Sequence, residues 1–117
     1  MEKSLVYAKN CELWWLNFLS DITDYKPKTT FFSDLSIAEY FGISAIKDTY
    51  NKVLKEWGNN IEYFTEFTMC LNHKSWQFSG KNDELCDLYV KLYYNALDFA
   101  DNNFNDEELS YFYMILD

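Results

Sequence analysis

Leu35–Trp57 reads LSIAEYFGISAIKDTYNKVLKEW and contains two helical patterns that meet at one glycine, Gly42. Before this glycine, apolar residues recur mostly at the three- or four-residue spacing of one helix face, at Phe32, Leu35, Ile37, Ala38 and Phe41. Glycine tolerates a positive φ at little steric cost, so it can end the first helix. A second apolar series follows at Ile46, Tyr50, Val53, Leu54 and Trp57. The stretch predicts a helix, a tight turn and a second helix, with Ser44 as N-cap and Gly58 as the second stop.

The composition of the whole chain favours helices. One proline and three glycines interrupt 117 residues, whereas a β-sandwich or barrel needs turn residues about every eight to twelve positions. Hydrophobic residues make up 49% of the chain and aromatic residues 21%, which excludes a disordered protein. A chain of this length can bury one sizeable core. We predict an all-α fold, with residues 1–117 forming a single domain packed as an irregular bundle of about five or six helices.

The other helices are predicted from periodicity and from capping residues. A first helix runs from about Ser4 to about Thr23, and a loop around Pro27 follows it. Asn60 is the expected cap of a helix from Ile61 to about Phe78. Asn82 or Asp83 begins the next helix, and a short helix that opens with Asp106 ends the chain.

The first predicted helix is apolar around much of its circumference. Its main stripe consists of Ala8, Cys11, Trp15, Phe18, Leu19 and Ile22. Further apolar residues lie outside that stripe, at Leu5, Leu13, Trp14 and Leu16. Such a helix needs cover on more than one side. Either it is the central helix of the fold or it forms an interface with a second subunit.

Two stretches carry a resemblance to other proteins. The run TTFFSDLSIAEYFGISAIKDTY, Thr29 to Tyr50, together with EELSYFY, Glu107 to Tyr113, resembles a small group of uncharacterised helical proteins from bacterial genomes and their mobile elements. No activity is assigned to that group, so the resemblance implies no catalytic residue. It implies a phage or mobile-element origin.

Charge is concentrated in the C-terminal half. The net charge is -9. Residues 1–60 carry eight acidic and seven basic side chains, whereas residues 61–117 carry eleven acidic and three basic ones. Such a surface repels phosphates and anionic membranes and attracts basic partners. Direct binding of nucleic acid or membrane is therefore not expected.

A DNA-binding regulator is the alternative hypothesis. Residues 35–57 fit a degenerate helix-turn-helix, since Ala38, Gly42 and Ile43 have the spacing of its turn. Lysines and an asparagine of the second helix are suited to phosphate contacts, at Lys47, Asn51, Lys52 and Lys55. However, Asp48 occupies a position that is usually apolar, and the chain contains no arginine, which makes the commonest specific base contact.

Catalytic and metal-binding patterns are sparse. Cys70 lies three residues before His73, the only histidine, but two ligands do not make a metal site. A partly exposed His73 on a helix is the simpler interpretation, and solvated helix faces account for the carboxylate pairs Glu62 with Glu66 and Asp98 with Asp101. Three cysteines at wide spacings do not form a disulfide framework. We predict a protein that is not an enzyme and has no cofactor.

The N-terminal sequence indicates where in the cell the protein is expected. It reads MEKSLVYAKNCELWW, without the basic and apolar regions of a signal peptide, and no run approaches about 18 apolar residues. We predict a soluble, cytoplasmic protein with free thiols and no membrane association.

The predicted function is that of a small acidic protein-interaction module. Its sharper form is a phage or mobile-element inhibitor that presents an acidic, aromatic surface to a basic nucleic-acid-handling enzyme. The expected contact residues are acids near the C-terminus and tyrosines outside the main stripes: Asp98, Asp101, Asp106, Glu107, Glu108, Tyr63, Tyr94 and Tyr111. A structural homo-oligomer, for example a homodimer, is a further alternative.

Overall fold

Residues 2–116 are described by a computed structural model, and over that range they form six α-helices and no strand. The helices are α1 (Lys3–Ile22), α2 (Phe31–Phe41), α3 (Ile43–Trp57), α4 (Ile61–Phe78), α5 (Asp83–Asn103) and α6 (Asp106–Leu116). The predicted all-α class and the number of helices are confirmed. None of the helices between residues 2 and 116 combines the length and apolarity needed to cross a membrane.

The chain divides into two compact units, one ending at Thr49 and the other beginning at Tyr50. The boundary falls within α3. A single domain over residues 1–117 stays a prediction, and its first and last residues lie outside the described range.

Gly42 separates α2 from α3, as predicted. It is the only residue between the two helices, with φ 119° and ψ 175°, a combination that is essentially restricted to glycine. Its N–H donates to the carbonyl of Ala38 (2.9 Å), and its carbonyl accepts from the N–H of Ile46 (3.2 Å). Gly42 thus ends one helix and begins the hydrogen-bond pattern of the next.

Two details predicted for this stretch are wrong. Ser44 lies inside the first turn of α3 and not before it, because Gly42 already occupies the capping position. Phe41 is 65% exposed. The buried face of α2 is formed by Phe31, Phe32, Leu35, Ser36 and Ala38, and Phe41 lies well around the helix from that face at about 100° per residue.

The first unit is organised by aromatic packing between α1 and α2. The rings of Trp15 and Phe32 stack at 4.4 Å with an interplanar angle of 5°, and both side chains are buried. Trp14 also lies beside Phe32, at 6.4 Å. These contacts place the buried stripe of α1 against the buried face of α2.

The stripe predicted for α1 is confirmed at Ala8, Cys11, Trp15 and Leu19. The prediction that Ile22 belongs to this stripe is wrong, since its side chain is 56% exposed at the end of the helix. The interpretation of α1 as the central helix is also wrong, because α1 is covered on one side only. Of its other apolar residues, Leu5, Leu13 and Leu16 are exposed, whereas Trp14 and Phe18 are half-buried.

In the second unit, α4 is the enclosed helix. Residues 64–71 are all buried, and this run exceeds two helical turns, so no face of that segment reaches solvent. The Phe64 ring lies 5.2 Å from Phe99 of α5, 5.5 Å from Phe104 after α5, and 6.0 Å from Phe112 of α6. Phe64 therefore holds α5 and α6 on α4.

Three helices of this unit begin with a residue whose side chain caps the helix. The Asn60 side chain accepts from the N–H of Tyr63 (3.1 Å), and that of Asn82 accepts from Leu85 (3.1 Å). Both predicted caps are confirmed. Asn105 and Glu108 form a reciprocal pair: the Asn105 side chain accepts from the Glu108 N–H (2.8 Å), while the Glu108 carboxylate accepts from the Asn105 N–H (3.0 Å). This is a capping box.

The observed cap Asn60 and the predicted cap Ser44 can be compared by substitution. We expect Asn60→Ala to lower the free energy of unfolding by about 1 kcal/mol, because the Tyr63 N–H loses its acceptor. Ser44→Ala should change it by less than about 0.5 kcal/mol. Urea unfolding followed by circular dichroism measures both values. A Ser44→Ala loss as large as that of Asn60→Ala would contradict the start of α3 at Ile43.

The turn at Gly42 depends on its backbone conformation. Nothing lies within 4 Å of a Cβ built at Gly42, so Gly42→Ala tests φ and ψ without a steric clash. We expect a loss of about 1–3 kcal/mol in unfolding free energy. Ser44→Ala, two residues away, is the control in the same urea titration. An unchanged stability of Gly42→Ala would show that the glycine conformation is not required.

Candidate functional site

The outer face of α5 carries an acidic stripe with an apolar centre. Its six members follow one another at intervals of three or four residues and are all exposed: Asp83, Asp87, Val90, Tyr94, Asp98 and Asp101. This spacing places them on one face of the helix. We call this set the α5 stripe. It spans roughly 27 Å at 1.5 Å per residue, with carboxylates at both ends and Val90 and Tyr94 between them.

The acidic surface continues onto α6. Asp106 and Glu107 are exposed in its first turn, where negative charge is stabilised by the positive end of the helix dipole. Glu108 differs from them because its carboxylate is engaged in the capping box with Asn105. The five predicted acids thus comprise four exposed carboxylates and one that is held by a helix cap.

A tyrosine of α6 is hydrogen-bonded to the α5 stripe. The Tyr113 hydroxyl donates to the Asp101 carboxylate at 2.7 Å. This hydrogen bond, with smaller contributions from burial and from the charge of Asp98, raises the pKa of Tyr113 to about 12. The contact fixes the orientation of Asp101. Tyr113 was missing from the predicted site residues, because it lies twelve positions from Asp101 on another helix and has no local sequence signal.

Asp98 influences a second tyrosine. Burial raises the pKa of Tyr50 to about 12, with a further contribution from the charge of Asp98. Asp98 thus lies near tyrosines of both α3 and α6, while its own side chain is exposed. At the C-terminal end of the α5 stripe, Asp101 accepts the hydrogen bond of Tyr113, and the charge of Asp98 acts on Tyr50 and Tyr113.

The predicted tyrosines differ in their surroundings. Tyr94 is 60% exposed within the α5 stripe, and its ring meets that of Tyr93 at 5.5 Å in an edge-on arrangement. Tyr63 is half-buried and packs on Trp57 at 4.7 Å. Tyr111 is half-buried. Tyr94 shares a helix face with Asp98 and Asp101 on α5, and Tyr111 lies four residues after Glu107 on α6.

The alternative site around Cys70 and His73 lies in the interior. His73 is 5% exposed, so the predicted partly exposed histidine is wrong, and burial lowers the pKa of His73 to about 4. Glu66 is 1% exposed, which also corrects its placement on a solvated face. Both errors have the same cause, the enclosure of α4. Among residues 2–116, no three histidine, cysteine or acidic side chains are grouped so that they could hold a metal ion.

The candidate helix-turn-helix has an unusually short connection. One residue joins α2 to α3, whereas the DNA-binding motif has a turn of about three or four residues. Lys47, Asn51, Lys52 and Lys55 are exposed, and so is Asp48. Acidic Asp48 therefore contributes to the surface that the lysines would offer to DNA.

Comparisons with known proteins give no match: no protein-family model, no curated protein and no solved structure is similar to this chain. The resemblance to the group of bacterial mobile-element proteins stays a prediction.

Burial of neutral His73 makes stability depend on pH. The pKa of His73 is about 4 in the folded chain, against 6.5 for an ordinary histidine. Between these values the unfolded state binds a proton that the folded state does not, so stability falls as the pH drops from about 6.5 to about 4. We expect His73→Gln to remove on the order of 2–3 kcal/mol of that fall.

The measurement is urea unfolding of both proteins at several values across this pH range. Carboxylates shared by both proteins contribute equally, so the difference between the two curves reports on His73. Equal pH dependence in the two proteins would contradict a buried neutral histidine.

Proposed function

We propose that this protein is an acidic protein-interaction module that binds a basic protein through the α5 stripe and the first turn of α6. The observation that supports the proposal is the continuous exposed face of α5, on which carboxylates flank Val90 and Tyr94. A tyrosine with acidic neighbours combines a large anchoring side chain with charges that select a basic partner.

The charge of these two helices supports this choice of partner. Residues 83–116 contain eight acidic side chains and a single basic one, Lys91. Such a surface attracts basic proteins over several ångströms and speeds their association. The most strongly basic grooves in cells belong to proteins that handle nucleic acids. We therefore extend the proposal to an inhibitor, of phage or mobile-element origin, that occupies such a groove in place of nucleic acid.

Fixed geometry at one end of the surface also supports binding. Asp101 is oriented by Tyr113, and Asp106 and Glu107 stand on a helix whose start is held by the capping box. Groups that are already ordered lose less entropy on association. We therefore expect the contact with the basic partner to be centred on the C-terminal end of the α5 stripe and the start of α6.

A matched pair of variants tests the proposal. The test variant carries Asp98→Asn, Asp101→Asn and Asp106→Asn. The control carries Asp24→Asn, Asp48→Asn and Glu56→Gln, which removes the same number of charges at exposed positions outside the proposed surface. Each tagged protein is immobilised and used to capture proteins from host lysate at low and high salt, with protein and nucleic acid both identified.

We expect the wild type and the control to retain a basic nucleic-acid-handling protein at low salt, and short duplex DNA to displace it. The test variant should bind that protein at least about tenfold more weakly, because exposed charge pairs are strongest at low ionic strength. Equal losses in both variants would mean that only net charge matters and would contradict a defined surface. DNA retained without a protein would favour the regulator based on α2 and α3.

A further inference from the structure

Two neighbouring cavities lie along α1, between Glu12 and the loop that follows the helix. The larger has a volume of about 470 Å³ and the smaller a volume of about 230 Å³. Leu16 and Pro27 line both cavities, so the two are adjacent parts of one groove, which we call the α1 groove. An apolar cavity of about 150 Å³ is large enough for benzene. Each part of the α1 groove therefore has room for a small organic group.

The smaller cavity has apolar walls and one carboxylate. Trp15 and Phe32, whose rings stack at 4.4 Å, form part of its wall together with Leu16 and Pro27. Among the described residues that line it, Glu12 is the one with a charged side chain. Ligand sites typically combine such apolar walls with a few polar groups that orient the ligand. In this cavity the orienting group is the Glu12 carboxylate.

The Glu12 carboxylate is oriented by a neighbouring hydroxyl. Glu12 is half-buried, and its Oε2 accepts a hydrogen bond from the Ser33 hydroxyl at 2.6 Å. An ionised carboxylate has about four acceptor positions, so others remain after this contact. A negative charge that is partly removed from water is stabilised by a cation that donates hydrogen bonds to it. The smaller cavity therefore favours a positively charged group.

The larger cavity provides further room at the C-terminal end of α1. Leu19 and Thr23 line it, and the last turn of the helix contains no basic residue to offset the negative end of the helix dipole. Asp24 and Lys26 also line this cavity, with opposite charges. With Glu12, the α1 groove contains two acidic side chains and one basic one, which leaves an excess of one negative charge.

We propose that the α1 groove binds a small aromatic amine, in which a short linker joins a protonated amino group to an apolar ring. The ammonium group donates to the Glu12 carboxylate, and the ring packs on Leu16 and Pro27. Binding thus combines a charge-assisted hydrogen bond with the burial of apolar surface. This activity is additional to the protein contact proposed above, because it uses α1 and α2 and not α5 and α6.

Three probes of similar shape test which charge the groove accepts. Phenethylamine, 2-phenylethanol and phenylacetate are cationic, neutral and anionic at neutral pH. Binding is measured on the full chain by an NMR titration of the backbone amide resonances. We expect phenethylamine to shift resonances within residues 12–33 with a dissociation constant of about 1 mM, as suits a ligand of few atoms. The alcohol and the acid should bind at least about fivefold more weakly. Equal affinities, or the absence of saturable shifts with phenethylamine, would overturn the proposal.

A matched pair of variants tests the role of Glu12. Glu12→Gln removes the charge and keeps an oxygen that can accept from Ser33, so phenethylamine should bind at least about fivefold more weakly, while 2-phenylethanol should bind as before. The control is Asp21→Asn, which removes one charge from an exposed position of the same helix outside the groove and should keep the wild-type affinity within about twofold. Circular dichroism checks that both variants are helical. Unchanged binding to Glu12→Gln, or equal losses in the two variants, would contradict the assignment.

A lysine side chain of another protein offers the same ammonium group without a ring. N-acetyl-lysinamide represents this source in the same titration. We expect it to bind at least about threefold more weakly than phenethylamine, because it buries less apolar surface. Equal or tighter binding of N-acetyl-lysinamide would assign the α1 groove to a protein partner and would overturn the proposal of a small aromatic amine.

Discussion

The packing of the Phe64 ring is the contact on which the second unit depends. Phe64 is fully buried and meets Phe99, Phe104 and Phe112. Aromatic pairs at these distances contribute about 0.5–1.5 kcal/mol each beyond the area that they bury. Phe99 is half-buried against Phe64, and the adjacent Asp98 is exposed. Phe112 is fully buried, and the adjacent Tyr113 is placed where it reaches Asp101. The acidic surface is thus a consequence of the aromatic core beneath it.

Polar groups within α4 impose a second constraint. Charged side chains are costly to bury unless they have partners, and Glu66 and Lys74 are both buried. The Lys74 ammonium donates to the Gln77 side chain at 3.0 Å and lies 5.6 Å from the Phe78 ring centre. Across residues 2–116, no buried side-chain nitrogen or oxygen lacks a hydrogen-bond partner. The interior around α4 is therefore polar in part but satisfied.

Residues close together in the sequence were sufficient to predict most of the helices and their ends. Gly42, Asn60 and Asn82 act over three or four neighbouring residues, and the predicted bounds of α4 agree with those observed. The predicted N-cap at Ser44 is wrong because Gly42, two residues earlier, occupies the capping position. The acids of the candidate surface were also predictable, since charged residues on the outer face of an amphipathic helix stay exposed. Tyr113 was not predictable, because its contact with Asp101 joins two helices.

Spacing, capping and composition along the chain are enough to predict the helices, most of their ends and the excess of negative charge in the C-terminal half. Which of the apolar helices is enclosed depends on tertiary contacts. Both α1 and α4 are rich in apolar residues, yet α4 is buried along more than two turns, whereas α1 is covered on one side. Burial depends on which helices pack together, and residues distant in the sequence make those contacts. For the same reason His73 and Glu66 lie inside while Leu13 and Leu16 remain at the surface.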